Sequence, residues 1–175
     1  NIYLTSWFYL LLGVAATFFI VSFLVETFFF YAQMFLSLVI SYLFIDILIL
    51  FSGSEKIEAE RIVKEQLNLG DDNQVKIRVK NNNSVPIRFK IIDELPYQFQ
   101  IRDFARFLTL SPEEEKVLTY NLRPVKRGEY LFGSLNIFAS SFLRMVQRKV
   151  LFSQDFSAKV YPSVRLMREY ELKVF

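Results

Sequence analysis

Residues with the side chains for chemistry fall into three groups along this chain. Asp46 is the one acidic or basic residue inside a long apolar run, carboxylates cluster at 71–72 and 113–115, and a basic corner runs from Arg123 to Tyr130. A carboxylate pair works as general acid and base when a cleft and a partner group hold it in place. Both clusters lie in turn-like sequence, where carboxylates are ordinarily solvated. We therefore predict no catalytic pair.

The composition excludes most other catalytic chemistry. The chain has no cysteine and no histidine, so it lacks the parts for thiolate or imidazole metal sites and for Ser-His-Asp or Cys-His catalysis. Its five glycines form no phosphate-binding loop, and Asp71-Asp72-Asn73 is too short for a calcium loop. The basic segments lack interleaved stacking aromatics. We predict a protein that is not an enzyme, has no cofactor or metal, and binds no nucleic acid.

The charged residues are distributed very unevenly along the chain. All 21 Lys and Arg residues lie at or after Lys56, and of the 18 acidic residues only Glu26, Asp46 and Glu55 precede it. Residues 56–175 therefore hold 21 basic and 15 acidic residues. Because ionised side chains are costly inside a bilayer, this split predicts a membrane-embedded front and a basic, water-facing back.

The front contains two apolar runs, Leu4 to Val25 and Phe28 to Phe51. Each exceeds the roughly 20 residues that a helix needs to cross a bilayer. They predict a two-helix transmembrane hairpin with Glu26 at its tip, and the chain leaves the membrane at residues 52–54. A signal peptide is the alternative for the first run, but Asn1 to Ser6 has no basic residue and no Ala-x-Ala-like site follows.

Basic residues close to the second crossing predict the orientation. Lys56, Arg61 and Lys64 follow it directly, whereas the hairpin tip has no base. The positive-inside rule then puts the C-terminal part in the cytoplasm, behind a multi-pass anchor. The net positive charge suits a domain beside anionic lipid, although such an excess is also ordinary for a solvated surface.

Small residues recur at helical spacing within both crossings. Gly13 and Thr17 are four residues apart, as are Ser37 and Ser41. Such faces let helices approach closely in lipid, so they predict packing of the two crossings on each other or a docking face for a partner helix. Asp46 lies about five residues before the end of its run. It either reaches the headgroup layer, pairs with a base on a partner, or carries a functional charge.

The back of the chain has the pattern of short strands. Val75 to Lys80 alternates apolar and basic residues, a turn cluster follows at 81–84, and Ile87 to Ile91 alternates again. We predict a β-hairpin here with one basic face, made of Lys76, Arg78, Lys80, Arg88 and Lys90. That face suits solvent, anionic lipid or an acidic protein surface.

Further strands are predicted at 97–101, 116–122, 145–152 and 159–161, with a long strand opening at Arg127. Its apolar parity flips across Gly133-Ser134, which indicates a β-bulge. Seven or eight short strands predict an all-β immunoglobulin-like sandwich at 55–175, after the transmembrane hairpin at 1–54. The corner from Arg123 to Tyr130 is either a turn in which Arg123 and Arg127 pair with carboxylates such as Glu129, or a docking surface.

The order of several motifs resembles a known family. Two crossings lead to Asp46 and the strands, and these motifs follow: Asp93-Glu94-Leu95-Pro96, Arg123-Pro124, Arg127-Gly128-Glu129-Tyr130 with Phe132-Gly133, and Val160-Tyr161-Pro162-Ser163. This order resembles the N-terminal half of the bacterial membrane proteins called domain-of-unknown-function family fifty-eight, with a Bacteroidetes-like richness in Phe. Related members usually carry an Asp-Pro-x-Gly-Leu-like turn after the long strand, where this chain has Ser140 to Arg144.

The resemblance implies a partner and a missing domain. The family normally continues into a von Willebrand A-like domain, which these 175 residues do not include. It is linked with MoxR-type AAA+ ATPases and with the assembly of other complexes, which implies an ATPase partner on the cytoplasmic side.

With this resemblance we predict a non-catalytic adaptor or scaffold that has a multi-pass anchor in a bacterial inner membrane and whose partners are the lipid bilayer and other protein subunits. The alternative is an accessory subunit of an envelope transport or motility complex, with Asp46 as a coupling carboxylate. The candidate contact residues are Gly13, Thr17, Ser37, Ser41, Asp46, Arg123, Arg127, Gly128 and Tyr130.

Overall fold

A computed structural model describes residues 2–51, 57–101, 104–153 and 155–162 as a helical hairpin joined to a β-sandwich. The helices are α1 (Ser6–Ser22) and α2 (Thr27–Phe51), with a 3-10 turn at Tyr97–Phe99. The strands are β1 (Ile2–Leu4), β2 (Ile57–Ile62), β3 (Gln66–Leu69), β4 (Asn73–Asn81), β5 (Ile87–Asp93), β6 (Ala105–Leu110), β7 (Glu115–Leu122), β8 (Gly128–Phe132), β9 (Leu135–Ser140), β10 (Val146–Phe152) and β11 (Phe156–Pro162). The predicted membrane exit at 52–54 and the end of the Tyr-Pro motif at Ser163 lie outside the described residues.

The strands form two layers. One layer is the sheet β2-β4-β7. The other comprises two hydrogen-bonded sheets, β1-β10-β9-β5-β6 and β3-β11-β8, which the chain links through β8 to β9 and through β10 to β11. Among the described residues, the strand pairings are antiparallel except for β3 with β11, which is parallel. The predicted sandwich is confirmed at this level.

Apolar alternation fixes which faces form the core. Val75, Ile77 and Val79 of β4 are fully buried, and the buried apolar residues of β5 are Ile87, Phe89 and Ile91. The predicted hairpin between these strands is wrong, since β4 pairs with β2 and β7, whereas β5 pairs with β6 and β9. The chain crosses from one layer to the other between them. The predicted basic face is therefore divided between the two layers.

The predicted change of parity in the long strand is confirmed, but it falls at a break between two strands, since β8 pairs with β11 whereas β9 pairs with β5 and β10. Tyr130 and Phe132 are buried before it, and Leu135 and Ile137 after it, so the buried parity changes at Gly133 and Ser134. A Cβ atom on Gly133 would lie 2.7 Å from Glu94 Oε2 and 3.0 Å from Glu94 Cβ. The close approach of Glu94 explains the glycine.

The strand predicted at 97–101 is wrong. Pro96 is followed by the 3-10 turn, and Gln100 then adopts a left-handed conformation with φ 55°. Neither conformation continues a strand. The prediction at 116–122 is confirmed by β7, in which Tyr120 and Leu122 are buried.

The helices form a hairpin that turns at residues 23–26, as predicted. Ala15 and Ala32 are buried within it, and the rings of Phe18 and Phe35 pack with centroids 5.4 Å apart. Most remaining large side chains point outward and are exposed, including Phe23 (91%) and Ile20 (69%). An apolar outer surface of this kind is typical of helices in lipid.

The first helix, α1, is shorter than the crossing predicted at Leu4 to Val25. Ile2 to Leu4 form β1 on the edge of β10, so α1 begins at Ser6 and has 17 residues. Within the described residues, α2 is the one helix long and apolar enough to cross a membrane, with 25 residues and a hydropathy of 2.5. The prediction of two full crossings is therefore corrected to one such helix and a shorter apolar companion.

Candidate functional site

Asp46 fastens α2 to the sandwich. Its side chain is fully buried, at 0% exposure, and its carboxylate accepts hydrogen bonds from the backbone N–H groups of Met145 (2.7 Å) and Val146 (2.9 Å). The hydroxyl of Ser141 donates to the same carboxylate. Such charge-assisted bonds are stronger than those between neutral groups. The two oxygens of Asp46 thus bind both sides of the turn that joins β9 to β10.

The start of α1 binds the same turn. Thr5 donates its backbone N–H to the Met145 carbonyl (3.0 Å) and its hydroxyl to the carbonyls of Met145 (3.1 Å) and Arg144. Arg144 has φ 59°, which turns its carbonyl within reach of Thr5. We call Asp46, Thr5 and residues 141–146 the junction. Because it binds the sandwich-side ends of both helices, the hairpin and the sandwich are joined at two points.

The small residues predicted on the helix faces point outward. Gly13, Thr17, Ser37 and Ser41 are all exposed, and a Cβ atom on Gly13 would meet nothing within 4 Å. The hydroxyls of Thr17 and Ser37 donate to carbonyls of their own helices, at 2.7 and 2.9 Å, so these donors need no hydrogen-bond acceptor on a neighbouring helix. These four residues do not pack α1 against α2. A partner helix at this surface stays a prediction.

The predicted corner is a tightly bonded turn between β7 and β8. Arg123 Nε donates to the Gly70 carbonyl (2.5 Å), and the Gly70 N–H donates to the Pro124 carbonyl (2.9 Å). Gly128 has φ 138°, a conformation that favours glycine. Arg123 therefore bonds a backbone carbonyl, and the predicted carboxylate partner Glu129 accepts from the Ser157 hydroxyl instead.

Tyr130 holds this corner from its buried side. Its side chain is 1% exposed, and its hydroxyl donates to the Lys126 carbonyl (2.9 Å), the arrangement known as a tyrosine corner. Tyr130 and Asp46 are both buried, so a partner would meet only the surfaces that they support. The exposed residues at the corner are Arg123, Val125 (71%), Lys126, Arg127, Gly128 and Glu129.

The structure does not bring the predicted contact residues into one site. The junction lies at the β9–β10 turn, after the end of β9, and the corner lies at the start of β8, the strand that precedes β9. Gly128 and Ser140 are twelve positions apart along β8 and β9, and the break between these strands makes about 40 Å an upper limit for their separation. The molecule therefore has a helix end and a far end, each with its own exposed surface.

A buried polar cluster, which sequence reasoning missed, ties the two layers together. Arg61 Nη1 of β2 pairs with Asp93 Oδ1 of β5 at 2.5 Å, and their side chains are 1% and 0% exposed. The Tyr120 hydroxyl of β7 donates to Asp93 Oδ2 (2.5 Å), and Arg61 Nη2 donates to the Gly133 carbonyl (2.8 Å). The Arg61 guanidinium also lies 5.0 Å from the ring centroid of Phe132. We call Arg61, Asp93 and Tyr120 the core triad.

Strand parity is the signal that could have found the core triad. Ile87, Phe89, Ile91 and Asp93 share the buried face of β5, so Asp93 continues an apolar series with a charge. Arg61 likewise follows Ile57 on the buried face of β2. Two opposite charges at buried positions of separate strands indicate a buried ion pair, since unpaired charges are rarely buried.

The core triad predicts a loss of stability in alkali. Burial raises the pKa of Tyr120 far above the ordinary tyrosine value of 10.0, and the neighbouring Asp93 carboxylate raises it further. Tyr120 therefore keeps its proton in the folded state, whereas the same tyrosine ionises above about pH 10 in the unfolded chain. Its contribution is present below pH 10 and falls as the pH rises. Urea denaturation from pH 8 to 11 should show a shallower decline for Tyr120→Phe than for wild type; parallel declines would contradict this.

The described residues contain no group of three or more acidic side chains placed to hold a metal ion.

No family model matches the chain, and no curated protein matches it. Several solved structures are similar in part, including the following three. The ASH/PapD-like domain of human CEP192 is 11% identical over 62% of this chain and 87% of that one, with a TM-score of 0.44. The CARDB domain of a Pyrococcus furiosus protein is 16% identical over 62% and 96%, with a TM-score of 0.41. Native alpha-2-macroglobulin from Escherichia coli is 16% identical over 61% and 16%, with a TM-score of 0.44.

Proposed function

We propose that this protein is a membrane-anchored, non-catalytic adaptor that holds the sandwich on the cytoplasmic side of a bacterial inner membrane and recruits other proteins there. The junction is the observation that carries the proposal. Asp46 and Thr5 bind one turn of the sandwich from both helices. This arrangement favours a retained anchor over a removable leader, because cleavage after α1 would strip bonds from the folded domain.

The hairpin fits this role through its outer surface. Exposed apolar side chains surround α2, and the two helices carry Glu26 at their tip and the buried Asp46 near the sandwich. In this proposal α2 spans the bilayer and α1 inserts beside it, which gives the multi-pass anchor. The basic residues that follow α2 favour the cytoplasm for the sandwich.

The far end of the sandwich is the proposed contact surface for a partner. Arg123 and Arg127 are exposed there beside Val125, and Tyr97 is 85% exposed on the neighbouring turn, whose Gln98 donates to the Glu129 carbonyl (3.0 Å). Tyr and Arg are enriched at protein interfaces. The family resemblance suggests a MoxR-type AAA+ ATPase as the partner.

The bonding of Asp46 does not favour the alternative of a transport or motility subunit. A coupling carboxylate must change partners during a cycle, whereas Asp46 holds two backbone amides and a hydroxyl in a fully buried site. Its geometry supports a structural fastening.

Purification of the full chain in mild detergent tests the adaptor role. We expect an AAA+ ATPase to accompany the wild-type protein, and Arg127→Glu with Val125→Asp to reduce its recovery at least tenfold. Lys76→Glu with Gln74→Asp, at exposed positions of β4, is the matched control and should retain the ATPase. A protein that always purifies alone, or an ATPase that both variants retain equally, would contradict the proposal.

A further inference from the structure

A cavity of about 440 Å³ lies where the start of α1 meets the outer face of the sheet β10-β9-β5-β6. Thr5, Ser6 and Trp7 form its helix side. The sheet side includes Arg88, Lys90, Phe107, Phe138 and Arg144. Its volume falls within the range of small-molecule sites, which makes it large enough for a phosphodiester headgroup.

The cavity concentrates positive charge. Arg88, Lys90 and Arg144 line it, and none of its described lining residues is acidic. Lys90 Nζ lies 5.9 Å from the ring centroid of Phe107 and 6.0 Å from that of Phe138, and Lys149 Nζ approaches Phe138 at 5.8 Å. Elsewhere on the surface Arg78 has carboxylates on both sides, Glu60 at 3.7 Å and Glu115 at 3.5 Å. The cavity therefore has an excess of cations that its own lining does not balance.

The position of the cavity identifies what can balance that charge. It adjoins the junction, so under the proposed anchoring it lies at the level where the helices leave the hydrocarbon. Trp7 is 53% exposed at its rim, as expected of an aromatic residue in the headgroup layer. The groups nearest to such a site in a membrane are lipid phosphates. The uncapped start of α1 adds partial positive charge on the same side.

We propose that this cavity binds the phosphoryl group of an anionic lipid headgroup, with Arg88 and Lys90 as the principal cations. The inference rests on the proposed membrane anchoring and adds a lipid class to it. Bound lipid would join the helix side of the cavity to the sheet side, and so would orient the sandwich relative to the bilayer plane.

Native mass spectrometry of the full chain in nonionic detergent, titrated with phosphatidylglycerol, tests the site. Arg88→Gln with Lys90→Gln should weaken binding about 30-fold, which corresponds to about 1 kcal/mol for each base near an anionic surface. Lys76→Gln with Lys80→Gln removes the same charge from the other layer and should change binding by less than about twofold. Equal loss in both variants, or in neither, would overturn the proposal.

Two further probes identify the source of the phosphate. Phosphatidylcholine should bind more weakly than phosphatidylglycerol, because its ammonium group opposes the cations of the cavity. Millimolar glycerol phosphate should not displace the lipid. Equal retention of both lipids, or displacement by glycerol phosphate, would overturn the lipid assignment.

Alkaline-carbonate extraction of the same variants separates this proposal from the anchoring. Both double variants should stay in the membrane as the wild type does. If carbonate removes the wild-type protein, the anchoring fails, and the titration still decides headgroup binding by itself.

Discussion

Replacing Asp46 with Ala is expected to lower the free energy of unfolding by about 3–5 kcal/mol. The truncation leaves the N–H groups of Met145 and Val146 and the hydroxyl of Ser141 without their acceptor in a buried site. Each buried donor without a partner costs about 1–3 kcal/mol. The change also removes the link between α2 and the β9–β10 turn, so the two parts of the molecule should move more independently.

Amide hydrogen exchange of the full chain in detergent measures directly whether the hydrogen bonds to Asp46 protect the β9–β10 turn. The amides of Met145 and Val146 should exchange much faster in Asp46→Ala than in wild type, while those of β4 change less. Asp46→Asn should have a smaller effect, since one amide oxygen remains to accept. Ser37→Ala removes a polar group from an exposed position on the same helix and serves as the control. Unchanged protection of the two amides in Asp46→Ala would show that the junction does not fasten the helix.

Replacing Asp93 with Ala is expected to destabilise the sandwich by about 3–5 kcal/mol, because it leaves the Arg61 charge buried without its carboxylate. The Tyr120 hydroxyl loses its acceptor in the same change. Replacing both partners, as in Arg61→Met with Asp93→Leu, should recover much of the loss, since apolar side chains of similar volume require no compensation for charge. On this expectation, the intact core triad adds little net stability over an apolar replacement.

The urea midpoint and slope of each variant measure this effect. Glu60→Ala is the matched control, because it removes a carboxylate from an ion pair whose side chains are about half exposed. Exposed pairs are worth about 0–1 kcal/mol, so its midpoint should barely move. An Asp93→Ala variant as stable as Glu60→Ala, or a double variant less stable than Asp93→Ala, would contradict the role given to the triad.

Local pattern predicted individual strands better than it predicted their partners. The alternation of Val75, Ile77 and Val79 identified β4, because period two follows directly from strand geometry. The same alternation cannot say which strand lies beside it, and β4 and β5 separate into different layers. β1 was missed because Ile2 to Leu4 is as apolar as the helix that follows. Only its pairing with β10 reveals a strand.

The sites show the same division between local and distant information. Asp46 stood out in the sequence because the residues around it are apolar. Its hydrogen-bond donors Met145 and Val146, however, lie almost 100 residues further along the chain. Small residues at Gly13 and Ser41 were visible from spacing, yet spacing alone does not say which side of a helix faces its neighbour. The faces of α1 and α2 that pack on each other bury Ala15 and Ala32 instead.

The family-like motifs acquire structural explanations that the sequence could not supply. Gly128 provides a positive φ, Tyr130 bonds the turn before it, and Gly133 makes room for Glu94. Asp93 holds Arg61 between the layers. These roles support the sandwich itself, so the motifs by themselves do not identify a partner. Evidence for a partner must come from the exposed corner and from the outward helix faces.

Single-cysteine labelling is the most direct test of an anchor with a cytoplasmic sandwich, because the chain contains no cysteine of its own. Leu24→Cys lies at the hairpin tip and Val125→Cys at the far end of the sandwich, at positions 80% and 71% exposed. In spheroplasts, a membrane-impermeant maleimide should label Leu24→Cys at once and Val125→Cys only after the membrane is permeabilised. Labelling of Val125→Cys in intact spheroplasts, at a rate equal to that of Leu24→Cys, would contradict the account.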